Sequence, residues 1–218
     1  MVKRIFIWVA HPKLDSLSAA IVDAYQNGTE ANGADIRRMD LDQMTFEPDF
    51  EGDFKNMPQV EADLSEWQEN LAWAEHVLIV HPYWWGGMPA KAKALIDRTL
   101  TPGFAFKYHD KGVTWDKLLS GRAADVVILS DTPPMLDTLL YRKPGRRVVT
   151  NQILGFCGIK TKKVLQLGSV KTAGADKISG WMKRLNAIGA LAAGRNRFAL
   201  RLQRSATGTP HNKATNPV

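Results

Sequence analysis

Short apolar runs alternate along this chain with longer segments of helical periodicity, and this alternation restricts the fold more than any other feature. Four runs of six to eight residues are rich in Val, Ile and Leu, and a fifth segment alternates apolar with polar residues; they lie at 3–10, 76–81, 124–130 and 163–168, and at 35–41. Uninterrupted runs of this length are typical of strands buried on both faces of a parallel sheet. The pattern predicts an α/β fold with one five-stranded, doubly wound parallel sheet and helices on both faces.

Helical periodicity fills the intervals between these strands. The predicted helices are 17–32, begun by Ser16 or Ser18, then 60–75, 90–100 with Pro89 as its first residue, 135–141, 146–157 and 176–193. Serine just before a helix and proline in its first turn are common start signals. We expect residues 1–193 to form one domain, and residues 194–218 to be a basic tail that is disordered or embraces a second subunit.

The composition limits the classes of protein to which the chain can belong. No apolar run approaches the roughly 20 residues of a membrane-spanning helix, and we expect the N-terminal residues to form a strand rather than a signal peptide. Cys157 is the only cysteine, which excludes an internal disulfide and a cysteine-based metal cluster, and we expect it to be a small packed residue. The five histidines show no metal-ligand spacing. We therefore expect a cytoplasmic protein without a metal site.

Charge is distributed unevenly along the chain. Residues 1–140 contain 13 basic and 21 acidic side chains, whereas residues 141–218 contain 16 basic side chains and 1 acidic side chain. This asymmetry indicates an anionic partner for the C-terminal third, which could be a phosphorylated cofactor, a nucleic acid or an acidic surface of another subunit. Aromatic residues do not interleave with the basic ones and no nucleic-acid-binding motif is present, so a nucleic acid is not expected.

The segment after the first predicted strand, AHPKLDSLSAA, has the properties of a phosphate site. Ligands of open parallel sheets bind beyond the carboxyl ends of the strands, near the point where the strand order reverses. The segment contains no glycine and so matches neither a dinucleotide-binding glycine motif nor a P-loop. It places Ser16 and Ser18 at a helix start, where hydroxyls, backbone N–H groups and the helix dipole suit a phosphate, with His11 and Lys13 nearby. Simple capping of the helix by serine is the alternative.

The segment after the third predicted strand, HPYWWGGMP, combines flat aromatic rings with two glycines. The rings of Tyr83, Trp84 and Trp85 offer surfaces for a planar cofactor, and the backbone at Gly86 and Gly87 can approach such a cofactor closely. Alternatively, the tryptophans pack beneath the following helix. Because successive side chains of an extended segment point in opposite directions, we expect Trp85 to face the cofactor and Trp84 to turn toward the protein core.

The segment after the fourth predicted strand, SDTPP, leaves two interpretations open. It presents hydroxyl groups in a turn whose shape the prolines restrict, or it is a rigid loop without a ligand. No G-x-S-x-G elbow is present, so the sequence gives no support for a serine hydrolase.

Three segments together, AHPKLDSLSAAI, HPYWWGGMPAKAKALIDRTLTPGFAFKY and FCGIK, resemble the flavodoxin-like NAD(P)H:quinone oxidoreductases over residues 3–190. The resemblance implies a non-covalent flavin, FAD or FMN, at the carboxyl edge of the sheet. It also implies a homodimer with a shared active site. NAD(P)H would reduce the flavin, and a quinone-like acceptor would then take the same place and receive the hydride.

Family positions carry over to residues of this sequence as follows. The flavin phosphate would be held by His11, Ser16, Leu17 and Ser18. The flavin ring would be flanked by the turn residues Pro82, Tyr83, Trp84, Trp85, Gly86 and Gly87. Aromatic residues would line the substrate pocket, namely Phe106 and Tyr108, with Phe156 supplied by the partner subunit.

The stretch SDTPPMLDTLLYRKPG departs from the pattern of the better-known family members. Those members have a glycine-rich turn here, followed by a Tyr and a His; in this chain Asp131, Thr132 and Pro133 replace the glycines as candidate cofactor contacts, and no His follows. Tyr141 is a candidate substitute for the missing Tyr as a catalytic residue. The alternatives are a nitro- or azo-compound reductase, a redox-sensing accessory subunit of a larger partner such as an ion-efflux system, and an electron carrier. The net charge of +7 argues against the carrier.

Overall fold

A computed structural model describes residues 2–13, 16–49 and 60–194. Its main sheet contains the strands β1 (Arg4–Val9), β2 (Asp35–Asp40), β3 (His76–Pro82), β6 (Ala123–Leu129) and β7 (Lys160–Leu167). The two remaining strands, β4 (Phe106–Tyr108) and β5 (Trp115–Lys117), form a separate antiparallel hairpin. The five strands lie in the order β2-β1-β3-β6-β7 and every neighbouring pair is parallel. The predicted sheet is confirmed, and its strand order reverses at β1, which lies between β2 and β3.

Helices cover both faces of the sheet. They are α1 (Leu17–Glu30), α2 (Ala62–Trp73), α3 (Ala90–Thr99), α4 (Pro134–Leu139), α5 (Pro144–Arg147), a π-helix at Val148–Gly155, a 3₁₀ turn at Val170–Thr172 and α6 (Ala175–Ala192). One core cluster joins the sheet to α2, α3 and the π-helix, and the other joins it to α1 and α6. No helix in the described part of the chain is long and apolar enough to cross a membrane.

Three features of the chain differ from the prediction. Pro89 is the N-cap of α3 and not its first helical residue, since its ψ of 148° is extended. The predicted helix 146–157 is instead the end of α5 followed by the π-helix. The β4–β5 hairpin was not predicted, because strands of three residues are too short to show periodicity. The predicted tail, beyond residue 194, lies outside the described residues.

Alternation of side chains along β1 divides the core between the two faces. Phe6 and Trp8 point toward α2, where each makes an edge-to-face contact with Trp67 at ring distances of 6.0 and 5.3 Å. Ile5, Ile7 and Val9 point to the opposite face and pack with α1 and α6. All of β3 is likewise buried. Burial on both faces explains why these strands are continuous apolar runs in the sequence.

Two glycines allow α1 and α6 to pack in close contact. A Cβ atom at Gly28 would collide with the backbone oxygen of Asn186, and one at Gly189 would collide with the backbone oxygen of Tyr25. Both collisions involve backbone atoms, which cannot rotate out of the way. The position of the final helix against the helix that follows β1 therefore depends on the absence of side chains at these two points.

We predict that Gly189→Ala destabilises the protein by about 1–3 kcal/mol, because the added methyl group forces α1 and α6 apart. Gly180→Ala, in the same helix, is the matched control: a Cβ at Gly180 meets no atom within 4 Å, and alanine there should stabilise by up to about 1 kcal/mol. Urea unfolding of both variants measures the difference. Equal effects at the two positions would contradict this account of the packing.

Candidate functional site

Three loops meet at the carboxyl edge of the sheet and enclose a cavity of about 340 Å³. Hydrogen bonds extend the strand pairing into these loops: Ala10 N donates to Val80 O at 2.8 Å, and Tyr83 N donates to Leu129 O at 2.7 Å. The cavity is lined by His11, Lys13, Ser16, Leu17, Ser18, Pro82, Tyr83, Trp84, Leu129, Ser130, Asp131 and Val170. It lies where β1 and β3 diverge, the position at which parallel sheets bind ligands.

The start of α1 forms one wall of this first cavity. Ser16 is the N-cap, and its Oγ accepts a hydrogen bond from Ala19 N at 3.4 Å. Ser18 is almost fully buried but reaches the cavity. The first N–H groups of a helix lack intrahelical acceptors. The predicted capping role of Ser16 is therefore confirmed, and the same helix end remains available for an anion.

His11 lies beside Ser16 in the cavity wall and is fixed by local contacts. Its Nδ1 is 3.1 Å from Lys13 N, and its ring makes an edge-on contact with Trp84 at 6.1 Å. Burial lowers the pKa of His11 despite the nearby carboxylate of Asp42. The imidazole is therefore a hydrogen-bonding group at neutral pH more than a source of positive charge, and Lys13 is the cation of this wall.

Residues Trp84–Gly87 form a tight two-residue turn. Trp84 N donates to Gly87 O at 3.0 Å and Gly87 N donates to Trp84 O at 3.1 Å, while Trp85 and Gly86 have φ angles of 53° and 77°. Two positive φ values in succession define a type I′ turn. Glycine adopts this conformation readily, but a bulky residue such as Trp85 does so at a cost in free energy.

The expectation that Trp84 turns toward the protein core is wrong. Trp84 is 48% exposed and Trp85 is fully exposed. Side chains alternate only while the backbone is extended, and the chain leaves that conformation at Trp85. Trp84 lines the first cavity and Trp85 lines the next one, so both rings face space that a ligand can enter.

A second cavity of about 560 Å³ adjoins the first and shares Tyr83, Ser130 and Asp131 with it. Its lining is Tyr83, Trp85, Gly86, Ser130, Asp131, Thr132, Asp137, Tyr141 and Pro144. Burial raises the pKa of Tyr83, so the phenol stays protonated at neutral pH. Tyr141, the candidate catalytic residue, lies in this wall with its side chain more than half exposed.

A backbone contact joins two walls of the second cavity. Arg146 N donates to the Tyr83 hydroxyl oxygen at 2.7 Å. A Cβ atom at Gly145 would collide with Gly86 O and would lie 2.7 Å from Tyr83 Cε1. Arg142 and Lys143, which precede this contact, have φ angles of 59° and 56°. The segment that carries Tyr141 is thus held directly against the tryptophan turn.

Polar side chains of the loop after β6 bond to the backbone of that loop and of the 3₁₀ turn. Ser130 Oγ donates to Thr132 O at 2.8 Å, and Asp131 Oδ1 accepts from Lys171 N at 2.9 Å. Ser130 lines both cavities with its hydroxyl proton already donated, and Thr132 lines the second cavity. Gly87 and Pro133 belong to the predicted loops but line neither cavity.

The predicted substrate aromatics form a separate cluster. Phe106 contacts Tyr108 at 5.2 Å and Phe156 at 5.0 Å, and Phe156 stacks on Trp115 at 4.4 Å. None of these side chains lines either of the two cavities. Phe106 and Tyr108 lie on β4, so the unpredicted hairpin is the element that presents them. Cys157, next to Phe156, is buried as predicted, and burial raises its pKa to about 11.

Sequence reasoning missed two lining residues of the second cavity, Asp137 and Pro144. Asp137 is the more notable of the two, because a buried carboxylate in a ligand-sized space is uncommon. A signal was present: it is the only acidic residue in the apolar stretch PMLDTLLY. Periodicity alone could not tell whether this carboxylate faced solvent or the cavity.

The family model for the flavodoxin-like fold matches residues 3–189. The chain belongs to the flavodoxin-like fold family. An uncharacterised NAD(P)H oxidoreductase of Escherichia coli, YcaK, is 33% identical over 132 residues, which cover 55% of this chain and 65% of the relative. NAD(P)H dehydrogenase [quinone] 1 of Rattus norvegicus is 25% identical over 219 residues, which cover 86% of this chain and 78% of the relative. The chain thus spans just under two thirds of the first relative's length.

Solved structures share the fold of this flavodoxin-like chain. Smu.1420 from Streptococcus mutans superposes with a TM-score of 0.76 at 25% identity, covering 86% of this chain and 98% of that one. An FMN-dependent NADH-azoreductase from Bacillus anthracis, in complex with FMN, superposes with a TM-score of 0.71 at 17% identity. The match covers 88% of this chain and 100% of that one. At such identities the second similarity concerns the fold alone.

We predict that the protein loses stability on acidification because of His81. His81 is fully buried beside the site, its Nδ1–H donates to Pro82 O at 3.0 Å, and burial lowers its pKa to about 4. In the unfolded chain His81 binds a proton below pH ~6.5, whereas in the folded chain it does so only near pH 4. The free energy of unfolding therefore falls by about 3 kcal/mol as the pH drops between those values. The free energy of unfolding, measured as a function of pH, should not show this loss in His81→Gln. The control variant His109→Gln, on the exposed hairpin, should still show it.

We also predict that Trp85→Asn stabilises the ligand-free protein by up to about 1 kcal/mol, because asparagine tolerates the positive φ of a type I′ turn. Trp84→Asn is the control, since Trp84 does not have a positive φ. Urea unfolding without added ligand measures the fold alone. A loss of stability in Trp85→Asn would mean that the indole contributes to the core.

Proposed function

We propose that this protein is a flavin-dependent NAD(P)H oxidoreductase that reduces quinones or similar flat acceptors. The observation that carries the proposal is the pair of adjoining cavities where β1 and β3 diverge. One has a helix start and hydroxyls in its wall, and the other has exposed aromatic rings. Both volumes lie in the usual range of ligand sites, about 300–1,000 Å³.

The first cavity fits the phosphate end of a flavin. Ser16, Ser18 and the first N–H groups of α1 are hydrogen-bonding partners for phosphate oxygens, and the helix dipole favours negative charge at this end. Lys13 adds a cation, while His11 can donate one hydrogen bond in its neutral form. The sequence prediction of a phosphate site formed by these residues is retained in the proposal.

The Trp84–Gly87 turn fits the edge and face of the flavin ring. Its two central N–H groups, those of Trp85 and Gly86, have no hydrogen-bond acceptor among the described residues, so they can donate to ring heteroatoms. Donors fixed in this way also stabilise negative charge that develops during reduction. A flavin held by these groups would supply the hydride chemistry between NAD(P)H and the acceptor. The protein's part is to orient the rings and restrict water.

Beside a flavin ring held at Trp85 and Gly86, the second cavity would receive the nicotinamide and the acceptor in turn. Its rings, Tyr83, Trp85 and Tyr141, suit flat ligands, and the protonated phenol of Tyr83 can donate a hydrogen bond to a carbonyl oxygen. One space serving both partners requires the oxidised dinucleotide to leave before the acceptor enters. The names of two relatives support this assignment. The Escherichia coli relative is named an NAD(P)H oxidoreductase, and the Rattus norvegicus relative is named NAD(P)H dehydrogenase [quinone] 1.

We further propose a homodimer in which the aromatic cluster of one subunit closes the site of the other. Phe106, Tyr108 and Phe156 are in mutual contact, so whichever subunit supplies Phe156 supplies all three. An apolar surface beside the second cavity gives a face for such a contact; it consists of the exposed residues Met135, Leu136, Leu139 and Leu140. A cytoplasmic location is part of the proposal, because the chain has a single cysteine, which is buried, and so uses no internal disulfide.

We predict that the purified protein is yellow, or becomes so with FMN or FAD, and that NAD(P)H bleaches it under anaerobic conditions. Mass measurement of the extracted cofactor separates FMN from FAD. A colourless protein that binds neither flavin would contradict the proposal. A yellow protein that NAD(P)H does not bleach would favour the carrier or sensor alternatives.

The phosphate site has its own test. Ser18→Ala should weaken FMN binding about tenfold or more, because a hydrogen bond to a charged group contributes roughly 1.5–3 kcal/mol, and should leave riboflavin binding unchanged. Fluorescence titration measures both. Ser120→Ala, on an exposed turn away from either cavity, is the control. An equal loss for FMN and riboflavin would show that Ser18 is structural only.

A further inference from the structure

The hydroxyl group of Tyr83 carries a proton that the fold does not use. Tyr83 lines both cavities, and its partly buried ring lies against Gly145. Its oxygen accepts a hydrogen bond from Arg146 N at 2.7 Å, whereas its proton has no acceptor among the described residues. A phenolic hydroxyl can accept one hydrogen bond and donate another at the same time. The bond from Arg146 N therefore fixes the hydroxyl while its proton remains for a ligand.

The surroundings of Tyr83 also support the negative charge that would remain after the proton leaves. Burial raises the pKa of Tyr83 and the carboxylate of Asp137 raises it further, whereas the bond from Arg146 N and the charge of the Arg146 side chain lower it; the net shift is upward. A hydrogen bond to an ionised oxygen is shorter and stronger than one to a neutral oxygen. The phenol is thus protonated at neutral pH, and a fixed donor is in place for the phenolate.

Tyr141 lines the second cavity without such support. Its side chain is 57% exposed, and its hydroxyl makes no hydrogen bond within the described part of the chain. Such a side chain must be ordered when a ligand arrives, whereas a group that is already fixed transfers its proton without that loss of entropy. Of the two phenols in this cavity, Tyr83 is therefore the better placed to deliver a proton.

Reduction of a quinone requires a proton as well as a hydride. The hydride brings both electrons and adds to one oxygen, and the proton adds to the other oxygen, so that the quinone becomes a hydroquinone. The protonated oxygen of the product belongs to a phenol. Because Tyr83 is also a phenol, the proton passes between two groups of similar acidity, and general acid catalysis is effective when donor and acceptor are matched in this way.

We propose that Tyr83 is the general acid that protonates the acceptor. Its O–H bond breaks as a new O–H bond forms on the acceptor, the phenolate keeps the hydrogen bond from Arg146 N, and water then returns a proton to it. This assignment rests on the proposed function and goes beyond it by naming the source of the proton. That source is a residue of the segment after β3 and not Tyr141.

Stopped-flow kinetics of the two half-reactions tests the proposal in flavin-loaded protein. Tyr83→Phe keeps the ring and removes the hydroxyl, so reoxidation by the quinone menadione should slow about 100-fold. Reduction by NAD(P)H and reoxidation by ferricyanide should stay within twofold of wild type, because ferricyanide accepts electrons without a proton. Tyr141→Phe should slow the menadione step less than Tyr83→Phe does. Thr138→Ala, which removes an exposed hydroxyl of α4 outside both cavities, is the control.

Binding without a reductant gives a readout that does not depend on turnover. Menadione cannot react with protein that holds oxidised flavin, so calorimetric titration measures its affinity alone. Tyr83→Phe should weaken menadione binding about two- to tenfold through the lost hydrogen bond, and flavin affinity should not change. If Tyr83→Phe does not fold, Tyr83→Gln keeps an oxygen acceptor for Arg146 N but has no acidic proton, and it should show the same difference between menadione and ferricyanide.

Three results would overturn the proposal. Equal slowing of reoxidation by menadione and by ferricyanide would make Tyr83 structural. Normal menadione reoxidation in Tyr83→Phe would mean that the proton comes from elsewhere, and a larger loss in Tyr141→Phe would assign it to Tyr141. Failure of the proposed function is a separate outcome, recognised when NAD(P)H does not reduce the flavin-loaded wild-type protein.

Discussion

The parallel pairing of β1, β3 and β6 is the interaction on which the site depends. Val9 pairs with Val80, and Pro82 pairs with Leu129, so the three strands end at one edge of the sheet. Hydrogen bonds from Ala10 N and Tyr83 N continue this pairing past the last strand residues. Segments that are more than 40 residues apart in the sequence therefore become neighbouring walls. Burial of these strands on both faces holds the arrangement.

The strand order then decides which loops can share a ligand. β2 lies on one side of β1 and β3 on the other, so the connections after β1 and β3 leave on opposite faces and open a crevice between them. The start of α1 occupies one side of the crevice and the Trp84–Gly87 turn occupies the other. The start of α1 and the tryptophan turn thus face each other across the crevice, and the rings of His11 and Trp84 lie 6.1 Å apart between them.

The sheet could be predicted from the sequence, because strands buried on both faces appear as apolar runs. The loops of the candidate site could be predicted too, because ligand sites of parallel sheets lie beyond strand ends. Ser16, Ser18 and Tyr83 were found by that rule, and the family resemblance extended it. The exposure of Trp84 could not be found, since the alternation of side chains fails at a turn with two positive φ angles. Asp137 was missed for a different reason: six residues of helix do not show which side faces a cavity formed by distant loops. The anionic partner expected for the basic C-terminal third stays a prediction.

Backbone strain is concentrated around the second cavity. Trp85, Arg142 and Lys143 have left-handed conformations that glycine or asparagine would adopt more easily. Such strained conformations persist where contacts with the surrounding structure hold the backbone in place, and they are common at ligand sites. Here the strained residues lie on the two segments that meet at Gly86 and Gly145, while the unstrained core of the sheet lies beneath them.

The contact between Gly86 and Gly145 has a consequence for how binding preferences could diverge among relatives. Two cavity walls touch through backbone atoms, with no side chain between them that could be shortened to let them separate. The cavity therefore cannot be widened at this point by a conservative substitution, and any larger residue at position 145 would displace the tryptophan turn itself. Changes in ligand preference must then come from the side chains that project into a space of fixed width, above all at positions 85, 132, 137 and 141. Homologues with different ligands should vary at those positions while keeping glycine at 145.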